Sequence, residues 1–538
     1  MPFLTSPKFS SLDEALLEIE QLRLEAQSSL KRGQQEQLGQ FFTPLSVAQW
    51  MADLFSIPAH HQPVYLLDAG AGTGSLTAAF LFRFCKQGIR TQIKATLYER
   101  DEALLPWLER TLQICLFACK AHQIDLEYQI QADDFITASA AMLKGQDSLF
   151  VSKQALYDYA IQNPPYRKIK TSSPERKILD SLGIGVSNLY PAFLWLTILQ
   201  MKLDGQITAI VPRSFCNGVY FRNFRRQLIK KITLSRLHLF QSRTETFRES
   251  QVLQENLIFH GTRSSSGQSG QIIISTSNGP IGEEITLRTV PYSSVVRPDD
   301  PETYIRIVAD DSGDQVEKWM GQFKTSLQDL GLCVSTGRVV DFRARQWLQA
   351  HPTAGAVPLL YPANLRQGSI EWPLDKTKKP QAILVLPITQ PMLIPSQTYV
   401  LVKRFSAKEQ KRRISAALYQ PNLIPAQEIG VENHINVFYA RYGSLPLDLA
   451  KGLTAFLNST LVDEYFRQLS GHTQVNANDL LHLRYPTRQQ LSAIGQRIGE
   501  IFPEQSNLDK LIMEECSMND PSLRSEEHTS ELQSRQVI

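Results

Sequence analysis

LLDAGAGTG, residues Leu66–Gly74, decides the fold, because an apolar run ends in Asp68 and passes into Gly70, Gly72 and Gly74. Glycine lets the backbone approach a ligand closely, and a helix that begins just after such a turn offers its N-terminus to that ligand. The stretch therefore predicts a strand, a ligand-binding turn and a helix in that order. Several classes of nucleotide-cofactor protein carry such a turn, so the turn alone leaves the ligand open.

Short apolar runs alternate with helical stretches through the first half of the chain. The runs predicted as strands are Val64–Leu67, Ile93–Tyr98, Leu126–Ile130, Leu156–Ile161 and Ile207–Val211. Strands that alternate with helices imply an α/β fold with a doubly wound, mostly parallel sheet. Ligands of such sheets bind at the carboxyl ends of the strands, so the residues at those ends form the candidate site.

Composition limits the class of protein. The chain has 538 residues, 42% of them hydrophobic, and a formal net charge of +3. This length predicts two large domains. The sequence contains no run of about 18 apolar residues, so no membrane span is expected. The six cysteines include no CxxC pair, so no metal site is expected. No signal peptide is recognised, so we expect reduced thiols in a cytoplasmic protein.

The chain divides into four segments. We expect an N-terminal helix in residues 1–35, the α/β domain in residues 36–310, and a mixed α+β domain in residues 311–500, where the alternation of strands and helices is lost. Residues 501–538 are expected to form a tail. From Arg524 onward the tail reads RSEEHTSELQS, which we interpret as non-native.

Positive charge is unevenly distributed. Residues 201–260 carry ten Lys/Arg against four Asp/Glu, and residues 401–415 carry six against one. Such stretches suit contacts with phosphate groups, although a solvated surface would give the same pattern.

Acidic residues follow the second and third predicted strands. Glu99 stands in LYERD, where a carboxylate can accept hydrogen bonds from both hydroxyls of a ribose. In ADDFI, Asp134 could accept a bond from an adenine amine, and Phe135 could cover the ring. A helix-start acid at Glu99 and a core residue at Phe135 remain open alternatives.

The most specific signal is Tyr157–Tyr166, YDYAIQNPPY. An amine on an aromatic ring is a poor nucleophile because its lone pair is delocalised, and it becomes competent when acceptors hold its two N–H groups. The Asn163 side-chain oxygen and the Pro164 carbonyl can be these acceptors, since Pro164 and Pro165 fix the backbone. Tyr166 offers a flat face on which the ring can stack. Positioning and electrostatics would then carry the rate.

With these residues in place, the chain resembles the N6-adenine DNA methyltransferases of type II restriction–modification systems. The resemblance implies a class I S-adenosylmethionine-dependent methyltransferase fold, S-adenosylmethionine as cofactor, and double-stranded DNA as partner. The activity implied is methyl transfer to N6 of an adenine flipped out of the duplex. Cofactor-binding positions of the family match Asp68, Gly70, Gly72, Glu99 and the pair Asp134–Phe135.

Two further site residues rest on the resemblance alone. Gln37–Met51, QLGQFFTPLSVAQWM, resembles the family's N-terminal cofactor motif, in which the equivalent of Thr43 helps to bind the methionine carboxylate end. Thr244–Phe259, TETFRESQVLQENLIF, places Phe247 where the family has an aromatic residue that stacks on the flipped base opposite Tyr166. A core residue remains the alternative for Phe247.

The resemblance continues into residues 311–500. Three stretches look like pieces of a DNA target-recognition domain, and Ser470–Asp479, SGHTQVNAND, resembles a C-terminal signature of the PstI/BsuBI branch of the family. The three stretches are Val334–Arg343, Pro358–Leu365 and Tyr399–Ile414.

Other substrates share this chemistry. Asn-Pro-Pro-Tyr also occurs in protein glutamine N5 methyltransferases and in some RNA adenine methyltransferases, and both remain alternatives. Asn163 disfavours cytosine N4, since enzymes of that group more often carry Ser there. The long, partly basic region after the motif favours DNA. We expect a cytoplasmic monomer and a cognate restriction endonuclease that acts on the same site without being bound.

Overall fold

The computed structural model describes residues 9–30, 41–57, 62–145, 157–240, 255–264, 270–277, 285–297, 300–307, 311–406, 410–469 and 474–517. Phe247 and the chain from Arg524 onward lie outside these residues. The chain forms two compact units, the first of residues 1–309 and 469–472 and the second of residues 310–468 and 473–538.

One sheet forms the centre of the first unit. Its strands in the described residues are β1 (Val64–Ala69), β2 (Gln92–Tyr98), β3 (Asp125–Gln131), β4 (Tyr157–Gln162), β5 (Met201–Pro212), β6 (Ile232–Phe240), β7 (Asn256–Arg263), β8 (Gln271–Ser277) and β9 (Ile285–Pro291). Their order is β3–β2–β1–β4–β5–β7–β6–β8–β9. Strands β1 to β5 are parallel, whereas β7 runs antiparallel to both β5 and β6. The strand order reverses beside β1, where such sheets open a ligand crevice.

Helices cover both faces of this sheet. In the described residues of the first unit, the helices are α1 (Leu12–Ser29), α2 (Leu45–Asp53), α3 (Ser75–Gln87), α4 (Leu105–Ala121), α5 (Phe135–Gly145), α6 (Pro174–Ser181), α7 (Leu189–Gln200), α8 (Arg222–Lys231) and α9 (Tyr292–Val295). Successive residues of a strand face opposite sides. Accordingly, Leu66 belongs to the buried cluster that includes side chains of α1, α3 and α4, and Leu67 belongs to the one that includes side chains of α5 and α7.

The predicted α/β fold with a doubly wound, mostly parallel sheet is confirmed. All five predicted strands are present, and β5 begins at Met201, earlier than predicted. Strands β6 to β9 extend the sheet beyond the predicted set. The predicted N-terminal helix is α1, which Ser11 caps by accepting a hydrogen bond from the Glu14 N–H at 3.2 Å.

The second unit is built from short strands and a helical layer. Its strands are β10 (Leu332–Thr336), β11 (Leu348–Gln349), β12 (Ala356–Leu360), β13 (Leu365–Arg366), β14 (Gly368–Ile370), β15 (Ala382–Leu384), β16 (Leu393–Pro395), β17 (Tyr399–Lys403), β18 (Ala416–Tyr419), β19 (Glu428–Val431) and β20 (Ile435–Ala440). They form two sheets, ordered β10–β20–β17–β18–β14–β13 and β11–β15–β12–β19–β16. The arrangement is a mixed α+β unit.

The helices of the second unit lie mostly after its strands. They are α10 (Asp311–Gln322), α11 (Asp341–Ala344), α12 (Leu447–Leu457), α13 (Thr460–Leu469), α14 (Ala477–His482), α15 (Arg488–Arg497) and α16 (Gln505–Ser517). Leu508 and Ile512 of α16 are buried in the same core as α12 and α15, so the predicted tail includes a packed helix. Among the described residues, no helix is long and apolar enough to cross a membrane.

Several arginines of the two basic stretches are buried rather than displayed. Arg213 pairs with Glu255 at 2.9 Å, and both side chains are almost fully covered. Arg413 is buried, and its guanidinium lies 6.0 Å from the centroid of the Phe466 ring. Part of the local positive charge therefore stabilises the fold and is not available for phosphate contacts.

Arg225 on α8 joins two distant segments through main-chain carbonyls. Its guanidinium donates to the carbonyls of Phe215 at 2.9 Å and Gly218 at 2.6 Å, which follow β5. It also donates to the carbonyls of Glu302 at 2.8 Å and Thr303 at 3.2 Å. The planar fork of five N–H donors suits this arrangement, which a lysine could not reproduce.

Candidate active site

A cleft opens at the carboxyl ends of β1, β2, β3 and β4. It encloses about 260 Å³. The ends of parallel strands meet at one edge of the sheet, so the cleft brings together motifs that are far apart in the sequence. The predicted site residues in its lining are Gly70, Gly72, Glu99, Asp134, Phe135, Asn163 and Pro165.

Main-chain N–H groups of the glycine turn are already bonded within the protein. Gly70 and Ala71 both donate to the carbonyl of Tyr98 at 2.9 Å. Gly72 donates to Oε2 of Glu99, also at 2.9 Å. Both glycines adopt positive φ, 87° at Gly70 and 58° at Gly72, which side chains disfavour. A phosphate-binding turn needs N–H groups that are free to donate, and these three already have partners within the protein.

Asp68 lies beneath the glycine turn and does not line the cleft. Its carboxylate is fully buried, and Oδ2 accepts a hydrogen bond from the Thr77 hydroxyl of α3 at 2.7 Å. Burial raises the pKa of Asp68 to about 7, and the charge of Glu99 adds to the rise. Asp68 thus ties β1 to α3, and the cofactor contact predicted for it finds no support in the lining.

Glu99 follows β2 and presents a fixed carboxylate to the cleft. Oε2 accepts from the Gly72 N–H at 2.9 Å, and Oε1 accepts from the Asp101 N–H at 2.8 Å. Burial raises the pKa of Glu99, while these two N–H groups act in the opposite direction. Each oxygen retains a second acceptor position, so the carboxylate can receive further hydrogen bonds from a ligand.

The Asp134–Phe135 pair is held largely by protein contacts. Oδ1 of Asp134 accepts from the N–H and the hydroxyl of Thr137, both at 3.0 Å, and so caps α5. Oδ2 of Asp134 pairs with Arg100 at 3.2 Å. The Phe135 ring is 2% exposed. Its nearest rings, Tyr98 and Phe193, both have centroids 5.0 Å away.

The side-chain amide of Asn163 is fixed from one side. Its Nδ2 donates to the carbonyl of Phe41 at 2.7 Å and to the hydroxyl oxygen of Thr43 at 3.0 Å. A carbonyl can only accept, so it sets which end of the amide is nitrogen. The Asn163 oxygen is therefore held on the opposite side. A Cβ added at Gly70 would lie 3.8 Å from the Asn163 carbonyl, which places this residue against the glycine turn.

The Tyr166 hydroxyl contacts the other end of the same amide. It lies 2.9 Å from the Asn163 Oδ1 and 3.2 Å from the Ile210 carbonyl, and it can donate a hydrogen bond to either oxygen. Oδ1 has two lone pairs, so one remains for a ligand donor. The Tyr166 ring is 8% exposed and packs against Phe41, with ring centroids 5.3 Å apart. Burial raises the pKa of Tyr166 well above its ordinary value.

Four of the predicted residues do not line the cleft itself: Thr43, Asp68, Pro164 and Tyr166. Phe247 lies outside the described residues. Thr43 is nevertheless in hydrogen-bond contact with Asn163, as is Tyr166. The structure thus brings the motifs predicted to bind the cofactor and the Asn-Pro-Pro-Tyr motif together around one cavity.

Phe41 is the main residue that sequence reasoning missed. It lines the cleft, supplies the carbonyl that orients Asn163, and covers the Tyr166 ring. It stood within the quoted N-terminal motif, but a main-chain carbonyl leaves no mark in a sequence. Phe193 of α7 was missed for a similar reason, since one apolar residue in an apolar helix carries no signal.

The lining of the cleft is acidic. Its carboxylates outnumber its two arginines, Arg100 and Arg167. The five carboxylate residues are Glu99, Asp101, Glu102, Asp133 and Asp134. In the part of the chain that the structure describes, no group of three or more His, Cys, Asp or Glu side chains could hold a metal ion. The acidic lining therefore favours an organic cation or a ligand rich in hydrogen-bond donors.

Known proteins are similar to this chain along nearly its whole length. Residues 85–247 match the Eco57I restriction-modification methylase family. The chain is 40% identical to the type II methyltransferase M.PstI of Providencia stuartii, over 92% of this chain and 96% of that protein. It is also 40% identical to the type II methyltransferase M.BsuBI of Bacillus subtilis, over 95% and 99%. Among solved structures, the type IIG restriction endonuclease BpuSI aligns with a TM-score of 0.44 and 14% identity, covering 94% of this chain and 68% of that one.

Proposed function

The chain belongs to the type II methyltransferases of restriction–modification systems, and from that membership we propose that it methylates N6 of adenine in duplex DNA with S-adenosylmethionine. The observation that carries the proposal is the fixed amide of Asn163, whose nitrogen is bound by the protein and whose oxygen keeps an acceptor position. This amide lines the same acidic cleft as the glycine turn.

The lining fits a positively charged nucleoside cofactor without phosphate. Glu99 would hold the ribose hydroxyls, the glycine turn would admit the cofactor close to the backbone, and Asp134–Phe135 would face the adenine. A dinucleotide fits poorly, because its pyrophosphate would meet carboxylates and N–H groups that are already bonded. When bound, S-adenosylmethionine supplies a methyl group already activated on a sulfonium centre.

In the proposed mechanism, Asn163 prepares the target amine. Its Oδ1 accepts one N–H of the amine, and the Pro164 carbonyl accepts the other. Both hydrogens are then held away from the plane of the ring, so the nitrogen lone pair becomes available for attack. Phe41 and Thr43 keep the amide from rotating. Groups already in place need no reorganisation during the reaction, which is the usual source of such electrostatic catalysis.

The base must leave the duplex to reach this cleft, since its amine is otherwise enclosed by pairing and stacking. We assign Tyr166 and Phe247 to hold the extruded ring. Phe41 now packs on Tyr166, so a base that stacks on that side takes the place of the Phe41 ring. The second unit is assigned to target recognition. We further propose that the protein is a monomer and that a separate restriction endonuclease acts on the same DNA sequence without binding to this protein.

The test expresses the protein in a host that lacks DNA methylation. Nucleosides from digests of its DNA and RNA, and peptides from a digest of its protein, are then analysed by mass spectrometry. The DNA is also sequenced by a method that detects modified bases. We expect N6-methyladenine in DNA at one recurring sequence, and none with Asn163→Ala. N4-methylcytosine, or methylation confined to RNA or to protein glutamine, would contradict the proposal.

A further inference from the structure

The segment Arg338–Arg345 of the second unit, hereafter the arginine–phenylalanine turn, displays an aromatic ring on a rigid support. Phe342 of α11 is 72% exposed. Single exposed apolar residues are common on protein surfaces and need no function. The surroundings of Phe342 give it more weight, because they combine a fixed backbone with a local excess of positive charge.

The backbone on both sides of Phe342 is fixed. Val339 is fully buried, its N–H donates to the carbonyl of Val431 at 3.0 Å, and its carbonyl accepts from the Asn433 N–H at 2.9 Å. A Cβ at Gly337 would collide with the carbonyl oxygens of the same neighbouring strand. Ala344, just after Phe342, is also fully buried. The backbone that carries the exposed ring is therefore fixed on both sides.

Exposed arginines lie on both sides of Phe342 in the sequence. Arg338, Arg343 and Arg345 are exposed, and none of them forms an ion pair within the described residues. The guanidinium of Arg343 lies 5.5 Å from the centroid of the Phe342 ring. The only acidic residue of the turn, Asp341, is neutralised by Lys379 at 2.7 Å.

A second basic loop joins the turn through this ion pair. Residues 375–379 read DKTKK, and Lys376, Lys378 and Lys379 are all exposed. The turn and this loop together carry six Lys/Arg against two Asp. Elsewhere in this protein, many basic side chains form ion pairs with carboxylates. Of the six basic residues of the turn and this loop, only Lys379 forms such a pair among the described residues.

We propose that the arginine–phenylalanine turn binds duplex DNA, with its arginines on backbone phosphates and the Phe342 ring against the sugars or base edges between them. Guanidinium groups match phosphate oxygens in geometry and charge. Apolar rings beside such cations commonly pack on or between base steps. This assignment rests on the proposed function, because it takes the DNA substrate as given.

The two kinds of side chain make separate contributions that salt can distinguish. Each phosphate contact that a substitution removes should lower the slope of log affinity against log salt by about 0.9. Arg343→Ala together with Arg345→Ala should therefore lower the slope by about 2, while Arg343→Lys with Arg345→Lys should restore most of it. Phe342→Ala should weaken binding about tenfold and leave the slope unchanged.

The measurement is the affinity of the full chain for a short unmethylated duplex that contains the target sequence, determined at several salt concentrations. Lys510→Ala, an exposed cation beside Glu514, and Ile501→Ala, an apolar residue 89% exposed, are the matched controls and should bind as wild type does. Thermal unfolding checks that each variant is folded. Wild-type affinity and slope in all turn variants would overturn the inference. Absence of binding and methylation by the wild-type protein would instead overturn the proposed function.

Discussion

The proposed catalytic cleft of the first unit and the arginine–phenylalanine turn of the second use polar groups in opposite ways. In the cleft, the glycine-turn N–H groups, both oxygens of Glu99 and the nitrogen of Asn163 all have partners inside the protein. In the turn, the exposed guanidinium groups of Arg343 and Arg345 have no ion-pair partner among the described residues, and Arg338 donates only one long hydrogen bond, to the Leu393 carbonyl at 3.5 Å.

This difference fits the two proposed roles, catalysis in the cleft and DNA binding at the turn. A transition state gains from groups that are already fixed, because no reorganisation is needed when charge develops. A polyanion instead gains from cations that remain solvated until it arrives, since binding then releases its counterions. Substitutions in the cleft should therefore change catalysis steeply at any salt concentration. Substitutions in the turn should change DNA affinity in a salt-dependent way.

The largest expected effect is at Asn163. Asn163→Ala removes one of the two acceptors for the target amine, and we expect methyl transfer to fall by a factor of roughly 100 or more. Single-turnover transfer to the mapped duplex, measured at saturating cofactor, checks this. Cofactor affinity by calorimetry should be retained. Near wild-type transfer would break the comparison, because the cleft would then tolerate removal of its central fixed group.

The next effect is at Glu99. Glu99→Ala should weaken cofactor binding by about 1.5–3 kcal/mol, since a charged acceptor is removed and the Gly72 N–H is left without its partner. Glu99→Gln keeps one acceptor oxygen and should give an intermediate loss in the same calorimetric titration. Equal affinity in all three proteins would assign Glu99 a purely structural role. DNA binding without cofactor should not change.

A smaller effect is expected at Thr43. Thr43→Val removes the hydroxyl that accepts from the Asn163 amide, so one hydrogen bond worth about 1 kcal/mol disappears and kcat should fall about fivefold at saturating cofactor. Thr43→Ser keeps the acceptor and should restore kcat. If Thr43→Val raises the KM for the cofactor and leaves kcat unchanged, Thr43 acts on cofactor binding and not on the Asn163 amide.

The smallest effect on activity is at Asp68, where the readout is stability. Its folded pKa of about 7 lies above the ordinary value of 3.8, so the folded state retains a proton that the unfolded state loses. The free energy of unfolding of the wild-type protein should therefore decline by on the order of a few kcal/mol as the pH rises from 3.8 to about 7. Asp68→Asn removes this group's contribution. Denaturant midpoints of both proteins across the window check the sign, and parallel profiles would contradict the assignment.

Contiguous motifs made much of the first unit predictable. LLDAGAGTG and YDYAIQNPPY each carry a strand, a turn and the candidate site residues within about ten residues, so local pattern was enough to place them. The Asn163 clamp could not be predicted, because the Phe41 carbonyl belongs to the main chain and reaches the amide only through tertiary structure. Asp68 was expected in the cleft, since its position in the motif does not reveal which side of the turn it faces.

The second unit was predictable only in outline. Strands such as β11 and β13 span two residues each, too few to produce a periodic pattern. Charge counts also mislead here, because Arg413 is buried while Arg343 is exposed, and a sequence gives both the same weight. Phe342 stood within a stretch already quoted, yet its exposure depends on how Val339 and Ala344 anchor the turn on either side.

Arg225 links the order of synthesis to the completion of the first unit. Its guanidinium gathers carbonyls from the segment after β5 and from Glu302 and Thr303, far later in the chain. When Asn163 and Tyr166 have left the ribosome, the nascent chain already contains the whole Asn-Pro-Pro-Tyr motif. It still lacks the carbonyls of Glu302 and Thr303, which complete the hydrogen bonds of Arg225. The full set of these bonds can therefore form only after translation has passed Thr303.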